Sequence, residues 1–301
     1  MKKDNYKWIA LSCTTIGALL SVMSGGTLIV ALPNIMKELK ADMGTVTWIL
    51  MGYMLVLTIL VPSIGRIADM FGRKKLYVSG FALFTAASLL CAWSNTGMQL
   101  LVYRLIQGVG GALMVANSTA IVADAFPKNE LGKALGINTM FISIGSVIGP
   151  ILGGFLVSIG WRNIFYLNIP IGIIGTLWAA LRLKETNCYI EKQKFDWLGT
   201  ISFTVGMFSL LMALTIGSFS GWFNFKVMVL FAVAAVLMSA FVKIENSIEQ
   251  PMLDMRLLKT KVLAFAYASN FFNGVARGAV TFLMIFYLQG IKGVDPITAG
   301  I

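Results

Sequence analysis

The chain has 301 residues, 57% hydrophobic and only 12% charged, against roughly 25% charged in an average soluble chain. With a mean hydropathy of +0.81, it has too little polar surface to keep its apolar side chains in water, and disorder is excluded on the same ground. The net charge is +11 and histidine is absent, which removes His-dependent triads and most zinc sites. Cys13, Cys91 and Cys188 lie far apart with no CxxC spacing, so neither a disulfide framework nor a thiolate metal site is suggested. The composition is that of an integral membrane protein with no cofactor.

A bilayer core of about 30 Å needs roughly 20 apolar residues in helix, and nine such runs follow one another. Helices are required because lipid leaves unpaired backbone groups no partner, and the alternating strands of a barrel are absent. The first run, Trp8–Leu32, follows a basic start containing Lys2, Lys3 and Lys7. It is too long for a signal-peptide core and is read as an uncleaved first helix.

The second run, Val46–Gly65, leads into Gly65-Arg66-Ile67-Ala68-Asp69-Met70-Phe71-Gly72-Arg73-Lys74-Lys75. Gly65 and Gly72 allow a tight turn, and Asp69 can pair with the basic cluster or face a helix N-terminus. After the third run, Leu76–Trp93, the fourth, Leu100–Ala123, carries Arg104, Gln107, Gly111, Met114 and Ser118 on one face. An arginine inside a span costs about 2.5–3.5 kcal/mol on insertion scales, so it is expected to face a cavity or a partner.

The fifth run, Ala134–Ile159, places Gly145, Gly149 and Gly153 in a small-xxx-small ridge, flanked by Gly136 and Gly154. Pro150 removes one backbone hydrogen bond and permits a kink. The remaining runs are Ile164–Leu183, Trp197–Ile216, Phe225–Val242 and Val262–Leu288. The last has Asn270, Asn273, Arg277 and Thr281 at helical spacing, a polar stripe that reads as a cavity face or as interhelical hydrogen bonding.

With the N-terminus in the cytoplasm, 17 of the 24 Lys and Arg residues fall on the inner side, Lys192, Lys194, Arg256 and Lys259 among them. Five fall outside, and Arg104 and Arg277 lie within spans. The positive charge is therefore an orientation signal. It is spread over every inner loop without interleaved aromatics, which speaks against nucleic-acid binding.

In this order and on these spans, the motifs resemble those of the major facilitator superfamily. Gly65–Lys75 resembles its inner-loop motif, Leu100–Ala112 the fourth-helix motif of proton-coupled members, and Gly136–Gly154 the antiporter motif of the fifth helix. The segments Trp161–Gly172, Phe195–Gly199 and Gln250–Asp254 are similar to the fourteen-helix EmrB/QacA-type branch of drug:proton antiporters.

The resemblance implies an all-α major facilitator fold: a six-helix N-terminal transmembrane bundle over 1–183, a linking helix pair over 184–243 and the start of a C-terminal bundle over 244–301. It implies efflux of small amphipathic compounds against inward proton flow, by alternating access in the plasma membrane. Arg104, with Gln107, Asn117 and Ser118, is implied as the proton-relay and cavity face. Gly65, Asp69, Gly72 and Arg73 are implied as the gating loop, and Gly136, Gly145, Gly149, Pro150, Gly153 and Gly154 as the exporter-type contact. Ser24, Asn270, Asn273 and Arg277 are the candidate substrate cavity.

Ser24 stands where the branch carries a helix-one acid, and Leu131 replaces a common basic residue. Any proton coupling is therefore expected to use a carboxylate outside these 301 residues. The chain stops at Gly300-Ile301 and is expected to be the front portion of a transporter whose missing C-terminal helices are needed for transport. Two other readings stay open: an exporter of neutral or anionic metabolites, and a truncated remnant that does not transport. No nucleophile elbow, phosphate loop or metal constellation supports an enzyme.

Overall fold

The computed structural model describes residues 3–185, 196–248, 260–295 and 298. Cys188, Lys192, Lys194, Phe195, the Gln250–Asp254 segment, Arg256, Lys259 and Gly300-Ile301 lie outside them. Nine helices among the described residues are long and apolar enough to cross a membrane: α1 (Lys3–Glu38), α2 (Met43–Phe71), α3 (Arg73–Ala92), α4 (Gly97–Ala125), α5 (Lys128–Ile159), α6 (Asn163–Arg182), α7 (Trp197–Ser220), α8 (Phe225–Ser247) and α9 (Lys261–Phe286). A π turn, Tyr287–Ile291, continues α9.

Several helices extend past the apolar runs. The run measures the bilayer core, whereas the helix continues until a cap or a glycine stops it. Asp42, Thr96, Asp196 and Asn224 cap α2, α4, α7 and α8 by accepting from backbone N–H groups of the first turn. The Thr45 hydroxyl and N–H hold the exposed Asp42 carboxyl below its ordinary range. Gly72, Gly160 and Gly221 end α2, α5 and α7 at positive φ.

Helices α1 to α6 pack into one bundle. α4 lies against α1, α2 and α3, while α1 lies against α4, α5 and α6, and α6 also backs α3. α7 and α8 form a hairpin that leans on α2 through α7, and α9 leans on α1. Leu28, Leu32 and Ile35 of α1 bury with Val46, Ile49, Leu100 and Phe165. Further along the bundle Leu20, Tyr53, Tyr77, Phe81, Phe84 and Met114 form a second core. Cys13 and Cys91 are free and buried.

The two ends of the bundle are held differently. At one, Glu38 accepts from Trp161 Nε1 at 2.8 Å and from Arg162. Arg162 also donates to the Ser94 carbonyl at 3.1 Å, tying the ends of α1 and α3 to the α5–α6 turn. The opposite end carries Gly72 and the charged cluster described next.

Candidate functional site

The turn at the Gly72 end is built around one residue. Gly72 has φ +104°, a region that L side chains rarely enter, and a Cβ there would sit 2.7 Å from the Glu185 carboxyl carbon. Gly72→Ala is accordingly expected to cost about 1–3 kcal/mol, read as a lower melting temperature of the purified protein. Gly65 is not part of this turn. It lies inside α2 with no atom within 4 Å of an added Cβ, because the helix runs on to Phe71.

Arg73 gathers the acids at this end. Its Nε and Nη2 donate to Asp69 Oδ1 at 3.0 and 2.7 Å, and Nη1 donates to Asp124 Oδ2 at 2.6 Å. The planar guanidinium thereby joins α2, α3 and α4, a geometry that a lysine point charge does not reproduce. Glu185, just beyond α6, accepts from the Lys74 N–H at 3.1 Å at the start of α3. Sequence reading singled out Asp69 and Arg73 but not Asp124 or Glu185 as their partners, since both come from remote segments.

Deeper in the bundle, Arg104 is fully buried. Its Nη1 donates to Gln107 Oε1 at 2.6 Å and to Ser24 Oγ at 3.2 Å, and Nε donates to the Ile49 carbonyl at 3.4 Å. Its guanidinium carbon lies 4.4 Å from the Tyr53 ring centroid, a cation–π arrangement. Tyr53 shares a hydrogen bond with Ser21 at 2.7 Å. Gln107 Nε2 donates to Ser88 Oγ at 2.7 Å, and Asn168 Nδ2 reaches Ser24 Oγ at 3.5 Å.

Among the described residues Arg104 Nη2 has no hydrogen-bond partner, and every group bonded to the guanidinium is neutral. A full positive charge is thus held in an apolar bundle by dipoles and one aromatic face. Such a site can receive a lone pair or a negative charge at Nη2. Tyr53, Ser21, Ser88 and Asn168 were not singled out in the sequence, where their only signal was polarity inside apolar runs.

The glycine ridge of α5 meets α1 at backbone distance. A Cβ on Gly149 would lie 3.3 Å from Gly26 Cα, one on Gly153 2.8 Å from Thr27 Cα, and one on Gly145 2.9 Å from Leu19 Cδ1. Pro150 sits on the same seam, with its Cδ 3.1 Å from where a Gly26 Cβ would be. Gly154 is buried beside it. Gly136 has open space around it and takes no part in the contact.

On α4, Asn117 Nδ2 turns back to the Leu113 carbonyl at 2.7 Å, and Ser118 is buried. Asn270, Asn273 and Arg277 lie on an exposed stretch of α9. The structure does not bring them to Ser24. α9 meets the bundle further along, where Phe282 and Phe286 pack on the apolar core and Gln289 Nε2 donates to the Val30 carbonyl at 3.3 Å.

A bundle of apolar helices long enough to cross a membrane, with Arg104 buried within it, defines the class: a multi-pass membrane protein. The chain belongs to the Major Facilitator Superfamily, whose family model matches residues 14–301. It is 33% identical over 301 residues to "Multidrug transporter protein MdtP" of Bacillus subtilis (strain 168), covering 99% of this chain and 55% of that protein. It is 32% identical over 296 residues to "Riboflavin transporter RibZ" of Clostridioides difficile (strain 630), covering 98% and 63%. The chain therefore spans little more than half the length of these curated relatives.

Among solved structures, the inward-facing, unoccupied bacterial homologue of the human lysosomal transporter Spinster aligns with a TM-score of 0.56 at 15% identity, covering 98% of this chain and 88% of that one. A D-xylose–proton symporter aligns with a TM-score of 0.54, also at 15% identity, covering 79% and 67%. Both likenesses concern the fold.

Proposed function

We propose that the chain is the N-terminal portion of a multidrug efflux transporter of the fourteen-helix drug:proton antiporter branch. It would sit in the plasma membrane with its N-terminus in the cytoplasm and expel small amphipathic compounds against inward proton flow. Residues 1–183 form the first rocking bundle, 184–243 the linking pair and 244–301 the start of the second bundle. The observation that carries this reading is the buried Arg104, bonded to no carboxylate among the described residues and set among Ser24, Gln107 and Tyr53. Inserting such a charge is costly unless it faces a pathway. The sealed α1–α5 seam, the similarity to a multidrug transporter and the Arg73 cluster at the opposite end support the same reading.

Arginine is not a proton carrier at ordinary pH, so Arg104 positions and attracts, and the proton travels on carboxylates elsewhere. The test is ethidium extrusion from cells expressing the full-length protein. Extrusion that stops when a protonophore collapses the gradient is the expected result. Extrusion unaffected by the protonophore removes the antiport mechanism, and none at all removes the drug-export reading.

A further inference from the structure

At the end of the bundle that carries Gly72, two cations stand apart from the charge pairing around them. Arg73 takes up Asp69 and Asp124, Lys7 pairs with Glu130 at 2.8 Å, and Glu185 accepts from the Lys74 N–H. Arg182 and Lys184, where the chain leaves α6, are exposed. Among the described residues no carboxylate pairs with either. They flank Leu183, which is buried in the second core.

Each cation lies on an aromatic ring that a further contact fixes. The Arg182 guanidinium carbon is 5.5 Å from the Trp178 ring centroid, and Trp178 Nε1 donates to Ser12 Oγ of α1 at 3.1 Å. Lys184 Nζ is 5.5 Å from the Tyr6 ring centroid. The Tyr6 hydroxyl accepts from the Lys184 N–H at 3.1 Å and donates to the Lys184 carbonyl at 3.3 Å. Both cations are thereby held where α1 meets α6, with little rotamer freedom left to lose when an anion binds. The ring covers one side of each charge, and the N–H groups on the other side stay open to a phosphate.

On the membrane side of Arg182, α6 exposes Ile174, Leu177, Trp178 and Leu181. Their three- and four-residue spacing puts them on one face, an apolar track about 10 Å long at 1.5 Å per residue. The track ends at the two cations. A ligand with an anionic head and an apolar tail is matched at both parts, whereas a soluble phosphate compound would use the cations alone.

We propose that this end of the α1–α6 contact is a binding site for one phospholipid of net negative headgroup. Its phosphate bridges Arg182 and Lys184, and an acyl chain lies along the α6 track. The site needs a membrane leaflet at this end of the bundle and does not depend on the export reading.

Purified full-length protein in a neutral detergent is titrated with phosphatidylglycerol or phosphatidylcholine, and bound lipid is counted by native mass spectrometry. The wild type is expected to hold one phosphatidylglycerol at least about tenfold more tightly than phosphatidylcholine, whose choline cancels the phosphate charge. In R182Q/K184Q that preference is expected to vanish. It is expected to survive in K128Q/K133Q, which removes the same charge from exposed positions at the start of α5. Trp178→Leu leaves both cations in place and is expected to lose about threefold, a change that charge alone does not produce. Equal losses in the two double variants overturn the site, because they mean diffuse attraction to a basic surface. A wild type without preference overturns it too. So does displacement of the lipid by glycerol phosphate at matched concentration, since the occupant is then a soluble phosphate. Should R182Q/K184Q fold poorly, the single variants R182Q and K184Q carry the test, each expected to lose about threefold, and no loss in either overturns the site.

Discussion

Replacing Arg104 with leucine is expected to lower export at least about tenfold, ~1.4 kcal/mol on the transport barrier, while the amount of folded protein in the membrane holds or rises. Two opposing terms set the stability side. Removing an arginine from a span returns about 2.5–3.5 kcal/mol on insertion scales. Against this, Gln107 Oε1 loses its donor while Ser24 Oγ keeps Asn168 Nδ2, at about 1–3 kcal/mol for the one buried group left unpaired. The terms nearly cancel, and among the described residues no carboxylate bonds to Arg104 and would be stranded. Transport loses the buried charge that Arg104 carries on this face. Arg104→Lys keeps the charge but cannot serve Gln107, Ser24 and Ile49 together from one ammonium, and an intermediate export rate is expected. Quantitative export assays beside membrane-fraction immunoblots separate the outcomes. Wild-type export by the leucine variant would remove Arg104 from the pathway, and loss of the protein from the membrane would make it a structural pin.

A graded loss is expected across the fifth-helix glycines when each is changed to alanine. At Gly153 the new Cβ meets Thr27 Cα at 2.8 Å and its carbonyl oxygen at 2.9 Å. Backbone cannot swing aside, so α1 and α5 must separate, at about 1–3 kcal/mol for overpacking. At Gly149 the nearest atom is Gly26 Cα at 3.3 Å, and a shift of a few tenths of an ångström suffices. At Gly136 nothing lies within 4 Å, and alanine gains up to about 1 kcal/mol in helix propensity. Melting temperature and export should both fall in the order Gly136→Ala, Gly149→Ala, Gly153→Ala, with the first at or above wild type. Equal effects at all three positions would mean that the spacing of the motif matters through something other than the α1 contact.

That series also marks how far the motif could be read. Its glycines recur in one pattern, yet those at 145, 149 and 153 face a neighbour and that at 136 does not. Periodicity places residues on a face without saying which turns of that face another helix covers. Arg104 shows the same limit. Its burial on a polar stripe was legible from the cost of a charge in lipid, whereas Tyr53, Ser21 and Ser88 became its surroundings only when α2, α1 and α3 closed around α4.

Fold class, span number and the principal charged and glycine motifs were set by local properties of the chain. Twenty apolar residues in lipid must be helix, since no water is there to satisfy the backbone, and a glycine at a forced positive φ ends it. Which residues share a site was decided by tertiary packing. Asp124 meets Arg73 from 51 positions away, and Ser24 meets Arg104 across 80. Those pairings depend on the rotation and register of helices against one another. Register is settled by summed van der Waals fit along whole interfaces, such as Gly149 on Gly26, and no local stretch of sequence contains that sum.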